Sequence, residues 1–307
     1  MRLVFMGTPD FAVASLDALV KAKHQIVGVI TAPDKPAGRG RKISQSAVKK
    51  YAVKNELNVI QPTKLKNPEF LAELKALNAD LFVVVAFRML PEVVWNMPPK
   101  GTFNLHGSLL PKYRGAAPIN WAVINGEKET GVTTFFLQHQ IDTGDIIAQE
   151  KMPIGEDDTA GTVHDKMMVI GADLVAKTAA MIEQGQVSSS PQLIEGDMPH
   201  APKIFRDDCR VNWQNLLGEI YNMIRGLSPY PGAWSTLEGK TFKLIKVSKL
   251  KAEHSFESGA CLADGSALKI ACNGGYLLVH ELQLEGKKRM QANEFLRGYN
   301  VENKKLV

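Results

Sequence analysis

Asn104 and His106 stand two residues apart in the segment Gly101-Thr-Phe-Asn-Leu-His-Gly-Ser-Leu-Leu-Pro111. The segment reads as a buried strand, and a strand alternates its side chains between two faces, so the pair must point into one pocket while Phe103 and Leu105 pack on the other side. An amide donor beside an imidazole is suited to gripping a carbonyl oxygen as it gains negative charge. Gly107 ends the strand and Pro111 stiffens the following turn. The pair therefore lies at a strand's C-terminal end, where open α/β sheets place their ligands. A carboxylate that could join it is Asp142, in the glycine-containing loop Gln140-Ile-Asp-Thr-Gly-Asp145. Near His106 it would favour the charged imidazole and could pass protons through a water. Taken singly, an Asp in a Thr-Gly loop is most often a turn former and a lone buried His most often structural; the set of three is the more specific signal.

The elements that would position these groups alternate strand and helix over residues 1–150. Arg2–Met6 and Gln25–Thr31 are β-rich runs, separated by Phe11, Ser15, Leu16, Leu19 and Val20 at helical spacing, with Asp10 expected to cap that helix. Asp80–Phe87 is a continuous apolar run, as in a parallel strand covered on both faces, and 131–137 is a further strand. A long helix is expected over 159–184. This alternation predicts a doubly wound, mostly parallel α/β sheet. Residues 187–204, rich in Ser, Pro, Gly and Gln, read as a linker between a domain at 1–186 and another at 205–307. In the second domain a helix is expected from Trp213 to Ile224. Short strands at 240–250, 267–272 and 276–284, punctuated by glycine turns, predict a small OB-like β-barrel.

Bulk properties narrow the classes. A chain of 307 residues, 45 % apolar, can bury a large core, and no apolar run approaches the roughly 20 residues that span a bilayer. The amino end runs straight into a strand with no signal or transit order. The three cysteines are scattered without C-x-x-C spacing. Together these predict a reducing, cytoplasmic setting with neither disulfides nor zinc. The turn after the first strand, Met6-Gly-Thr-Pro-Asp-Phe11, lacks G-x-G-x-x-G, which disfavours a dinucleotide oxidoreductase, and no metal-ligand cluster stands out. The net charge of +5 is uneven: residues 1–202 hold 21 Lys and Arg against 21 Asp and Glu, residues 203–307 hold 16 against 11. Such asymmetry points to a polyanionic partner or to a solvated basic surface, at even weight on charge alone.

The run Phe103-Asn-Leu-His-Gly-Ser-Leu-Leu-Pro-Lys-Tyr-Arg-Gly-Ala-Ala-Pro118, with Asp142-Thr-Gly-Asp145, resembles the folate-dependent formyltransferases. More closely it is similar to their methionyl-tRNA formyltransferase branch, as are Met6–Phe11, Pro202-Lys-Ile-Phe205 and Gly226-Leu-Ser-Pro-Tyr-Pro-Gly232, so that the likeness spans nearly the whole chain. The resemblance implies transfer of the formyl group of 10-formyltetrahydrofolate, a co-substrate, to the α-amino group of methionyl initiator tRNA, without a metal, by a monomer that needs no membrane. Asn104 and His106 would hold the oxyanion and Asp142 would orient a water and move the proton. For folate it implies Ser108, Leu109, Leu110 and Pro111, with Ile141, and a pterin pocket at Phe87, Arg88, Met89 and Leu90. There the chain departs from the branch, which more often carries Tyr-Gly-Leu-Ile-Leu-Pro. Arg88 has a surface ion pair as its alternative role.

Asp34-Lys-Pro-Ala-Gly-Arg-Gly-Arg-Lys42 reads as an exposed mobile basic loop. Its likeness to the branch's tRNA-engaging insertion makes Lys35, Arg39, Arg41 and Lys42 candidates for the acceptor stem. Lys246 and Lys249, with Lys243, Lys251 and Lys287-Lys-Arg289, would give the barrel a second phosphate-binding surface. Trp213 and Trp234 are expected to pack rather than stack on bases. An amino-sugar formyltransferase would share Asn104, His106 and Asp142 but have little use for the basic loop. A tRNA- or folate-binding module without catalysis would not need all three.

Overall fold

Short apolar strands and amphipathic helices alternate along the first half of the computed structural model, which describes residues 1–37, 42–194 and 196–307, with backbone alone for Ala37 and Lys42. In chain order they are β1 (Arg2–Gly7), α1 (Asp10–Lys21), β2 (Gln25–Ile30), β3 (Lys35–Ala37), β4 (Lys42–Ser44), α2 (Ala47–Lys54), β5 (Val59–Ile60), α3 (Pro68–Ala76), β6 (Leu81–Val85), α4 (Glu92–Trp95) and β7 (Thr102–His106). β8 (Arg114–Gly115), α5 (Pro118–Ile124), β9 (Glu129–Phe136), β10 (Ile146–Pro153), α6 (Ala160–Glu183) and β11 (His200–Ala201) follow. A seven-stranded sheet runs β10-β9-β7-β6-β1-β2-β5, with β5, β2, β1, β6 and β7 parallel and β9 antiparallel to β7. The mostly parallel sheet expected from the alternating pattern is the one found.

Two compact units divide the chain: Met1–Gly115 with Gly131–Met152 and His164–His200, and Ala116–Thr130 with Pro153–Val163 and Ala201–Val307. In the first, all five residues of β6 are buried between β1 and β7, which accounts for its unbroken apolar sequence. Phe82 and Val84 pack on one face with Val4, Met6, Ile30, Phe70 and Leu74. Asn104 is in register with Val84 and so shares that face. Leu105 points the other way, beneath α6, where a Cβ on Gly171 would come within 2.8 Å of its Cδ2. A side chain at 171 would force the helix off the strand.

The second unit gathers segments distant in sequence. α5 meets α7 (Leu217–Gly226), where Asn120 Nδ2 donates to the Gly226 carbonyl at 2.8 Å and a Cβ at 226 would lie 2.8 Å from the Ile124 nitrogen. Antiparallel strands β12 (Ala233–Leu237), β13 (Lys240–Leu250), β14 (Cys261–Asp264), β15 (Ala267–Cys272) and β16 (Gly275–Leu284) then pair in the order β12-β13-β16-β15-β14, with β17 (Met290–Gln291) on β16 and α8 (Ala292–Gly298) following. The tail joins the two edges. Leu306 bridges Leu237 on the β12 side, and Lys305 bridges Ala260 beside β14. Val307 and Thr236 exchange backbone hydrogen bonds of 3.0 Å, and Cys261 N donates to the Lys304 carbonyl at 2.8 Å. Edge groups that would otherwise need water are satisfied in this way.

Three local expectations are corrected. Asp10 is not the cap of α1: Pro9 occupies that position without a side-chain bond, and Asp10 places its charge in the positive first turn instead. Trp213 lies ahead of α7, not on it; its indole N–H donates to Ser235 Oγ at 2.9 Å within the barrel core, where packing rather than helical spacing sets its place. The basic stretch after β2 is paired at its base, where β3 and β4 form an antiparallel ladder and Asp34 accepts from Lys49 Nζ at 2.6 Å and Gln61 Nε2 at 2.8 Å.

All three cysteines are buried and free. Burial pushes the thiols of Cys261 and Cys272 up to about 11, and burial with the nearby Asp208 charge raises that of Cys209. Since the thiolate is the nucleophile, the native protein at pH 8 is expected to react slowly with thiol reagents and to titrate fully only when unfolded in urea. Rapid labelling of the native protein would contradict this.

Candidate active site

The C-terminal ends of β1, β6 and β7 lie side by side, and the chain order reverses between β1 and β6, the place where open sheets bind ligands. His106 ends β7 and is 6 % exposed, its ring edge-on to Phe135 with centroids 6.5 Å apart. Asn104, two residues earlier, is half-buried.

One hydrogen bond of His106 settles its tautomer. Nε2 lies 2.8 Å from the carbonyl oxygen of Tyr113, which can only accept, so Nε2 carries a proton. Nδ1 therefore faces the carboxylate of Asp142, with Oδ2 at 3.7 Å. In the neutral ring Nδ1 presents a lone pair; it donates only in the imidazolium, whose charge the carboxylate would balance. The same Oδ2 accepts from Gly115 N at 2.9 Å. Asp142 adopts φ +55°, a conformation Asp tolerates better than most residues. Gly144 packs so closely that an added Cβ would stand 1.6 Å from the Phe136 carbonyl oxygen. The loop is thus fixed at both residues, and the three expected catalytic groups lie on one strand end and the loop beside it.

The turn after β7 is held from within. Thr133 Oγ1 donates to the Ser108 carbonyl at 2.6 Å and accepts from Leu110 N at 3.1 Å, and Gln149 Nε2 donates to the Leu110 carbonyl at 2.9 Å. Ser108 is fully buried, with its hydroxyl donating to the Lys112 carbonyl at 2.7 Å. Ser108 and Leu110 therefore shape the turn from inside, while Leu109 and Pro111 are half-buried. Thr133, Gln149 and Tyr113 carry no sequence signal for this work, because the groups they satisfy are backbone amides and carbonyls common to every residue type.

After β6, Leu90 joins the core, Phe87 is half-buried, and Met89 and Ile141 are 74 % and 59 % exposed. Among the described residues Arg88 has no ion-pair partner: its guanidinium donates to the carbonyls of Pro62 and Thr63, and its charge lies 5.5 Å from the Phe87 ring centre. Ala86 precedes this loop at φ +47°, where a Cβ costs roughly 1 kcal/mol. Ala86→Gly is accordingly expected to raise the melting temperature by about 2–4 °C. An unchanged or lower midpoint would contradict it.

Of the expected tRNA contacts, Lys35 is exposed on β3 and Lys246 on β13. Lys42 is described by its backbone, on β4, and Arg39 and Arg41 lie outside the described residues. Lys249 is engaged within its own unit: its ammonium pairs with Glu156 at 2.9 Å and lies 4.6 Å from the Tyr221 ring centre. That pairing holds the Glu156 carboxyl below its ordinary range. Arg289 is similarly paired with Glu281. Trp234 is half-buried between Arg206 and Arg210 and donates to the Arg206 carbonyl at 2.8 Å. Among the described residues there is no group of three or more His, Cys, Asp or Glu arranged to hold a metal ion, and no helix long and apolar enough to cross a membrane.

Comparison with known proteins places the chain in a family. The Formyl transferase family model matches residues 1–177, and that of the Formyl transferase C-terminal domain matches residues 203–300. Methionyl-tRNA formyltransferase of Bacteroides fragilis is 52 % identical over 310 residues, covering 98 % of this chain and 96 % of the relative. That of Parabacteroides distasonis is 54 % identical, covering 97 % and 96 %. The chain belongs to the methionyl-tRNA formyltransferase family. The fold of this formyltransferase is shared with an N-formyltransferase from Helicobacter canadensis solved with folinic acid and dTDP-3-aminofucose, at a TM-score of 0.66 and 23 % identity over 90 % of this chain and 97 % of that one.

Proposed function

We propose that this formyltransferase moves the formyl group of 10-formyltetrahydrofolate onto the α-amino group of methionyl initiator tRNA, with Asn104, His106 and Asp142 as its catalytic residues. The observation that carries the reading is the approach of Asp142 Oδ2 to His106 Nδ1 at 3.7 Å beside the half-buried Asn104 amide. In the reaction a C–N bond forms between the amine and the formyl carbon, and the bond from that carbon to folate N10 breaks. The formyl oxygen becomes an oxyanion, which the Asn104 amide and a His106 ring donor would stabilise. Asp142, through a water, would take the proton of the attacking amine and pass it toward N10. Each such donor is typically worth about 3–4 kcal/mol of barrier.

The folate would lie along Phe87, Arg88, Met89 and Leu90, the Ser108–Pro111 turn and Ile141, with exposed Met89 and Ile141 as direct apolar contacts. The division into a catalytic domain at 1–186, a linker at 187–204 and a tRNA-binding domain at 205–307 is supported by the separate family matches to 1–177 and 203–300. The enzyme would act as a cytoplasmic monomer. Lys35, Arg39, Arg41, Lys42 and Lys246 would neutralise tRNA phosphates, and Lys249 would do so only after leaving Glu156. Steady-state kinetics at increasing salt tests this part: affinity for methionyl-tRNA should fall with a log–log slope steeper than about −3, at about 0.9 per phosphate, while the folate KM changes little. A flat response would contradict the phosphate contacts.

A further inference from the structure

The segment read as a linker does more than join domains. Ser190 and Ile146 exchange backbone hydrogen bonds, at 2.8 Å from Ile146 N and 3.0 Å from Ser190 N, so the segment runs antiparallel along the end of the catalytic loop. Two residues on, Gln192 Nε2 donates to the carbonyl oxygens of both Asp142 and Gly144, at 2.9 and 2.8 Å. Its Oε1 accepts two bonds from Arg114, 3.0 Å from Nε and 2.6 Å from Nη2. Arg114 immediately precedes Gly115, whose N–H binds the Asp142 carboxylate at 2.9 Å. The contacts therefore close on themselves. Gly115 holds Asp142 by its side chain, and Arg114, through Gln192, holds it by its backbone.

We propose that Gln192 is a positioning residue for the catalytic carboxylate. It fixes the left-handed backbone at Asp142 and thereby the direction in which Oδ2 faces His106, and it makes the 190–192 strap part of the active-site frame. Its two N–H groups and one carbonyl oxygen match the two acceptors and the forked donor that surround it. No other side chain of this length offers both functions. This role rests on the reading of Asp142 as catalytic. A misplacement of about 1 Å far from the reacting atoms can cost roughly 100-fold in rate.

Two variants and two readouts test it. Gln192→Ala removes all four bonds, whereas Gln192→Glu keeps the partner of Arg114 and sets an acceptor against two carbonyls. Both should lower kcat by about 10- to 100-fold with either KM changed less than about three-fold. In an Asp142→Asn background, Gln192→Ala should cost much less than in the wild type, because the two act as a unit. A purely structural role would give multiplying losses or a rise in KM, and either would overturn the proposal. Amide hydrogen exchange at Gly115 and Ile146 reads the strap with no substrate present. Exchange about ten-fold faster in Gln192→Ala supports the clamp, and unchanged exchange overturns it even if the enzyme's acceptor is other than methionyl-tRNA.

Discussion

Replacing Asn104 by alanine is expected to lower formyl transfer by about 100-fold or more in kcat while leaving the fold intact. The strand that carries it is paired on both sides, Val84 with Asn104 and Asn104 with Phe135, so its backbone does not depend on the amide. The side chain is half-buried, and truncation removes no large apolar contact. The loss should fall on kcat, because an amide aimed at a developing oxyanion contributes little to ground-state binding. Asn104→Asp, of nearly the same shape, should be at least as damaging, since it sets an acceptor where a donor is required. Near-normal turnover in Asn104→Ala, with a melting temperature close to wild type, would remove Asn104 from the mechanism.

Asp142→Asn carries the second large effect. Alanine at this position confounds two losses, because it abolishes the bond from Gly115 N and forces a Cβ without local hydrogen bonding into φ +55°. Asparagine tolerates that backbone and keeps an oxygen for Gly115, so Asp142→Asn removes the charge alone. Turnover should still fall by about 100-fold or more, since the carboxylate that would take the proton of the attacking amine is gone. Retention of activity in Asp142→Asn together with loss in Asp142→Ala would assign the carboxylate a structural role instead.

Much of this arrangement was legible in the residues. The unbroken apolar run at 80–87 gave β6, because a strand buried on both faces has no polar face to show. Period-two spacing placed Asn104 and His106 together, and the glycine turns bounded β13, β15 and β16. What escaped reading acts through the backbone. Tyr113 fixes His106 with its carbonyl, Gly115 binds Asp142 with its N–H, and Gln192 holds two carbonyls, all functions that residue type does not announce. Arg88 was ambiguous for a related reason: a guanidinium satisfied by two carbonyls leaves no acidic partner in the sequence to find. The tail that joins β12 to the β14 edge was equally hidden, because Lys305 and Leu306 are held by isolated bridges to residues far away in the sequence.

In the proposed mechanism one site, built on Asn104, His106 and Asp142, formylates methionine on its initiator tRNA. The most direct measurement is transfer from 10-formyltetrahydrofolate to methionine-charged initiator tRNA, with uncharged tRNA and a nucleotide-linked amino sugar assayed beside it. Formyl product on the charged tRNA alone is the predicted result. Product on the amino sugar with none on the tRNA would contradict the acceptor while keeping the chemistry, and no product on any of the three would contradict formyl transfer by this site.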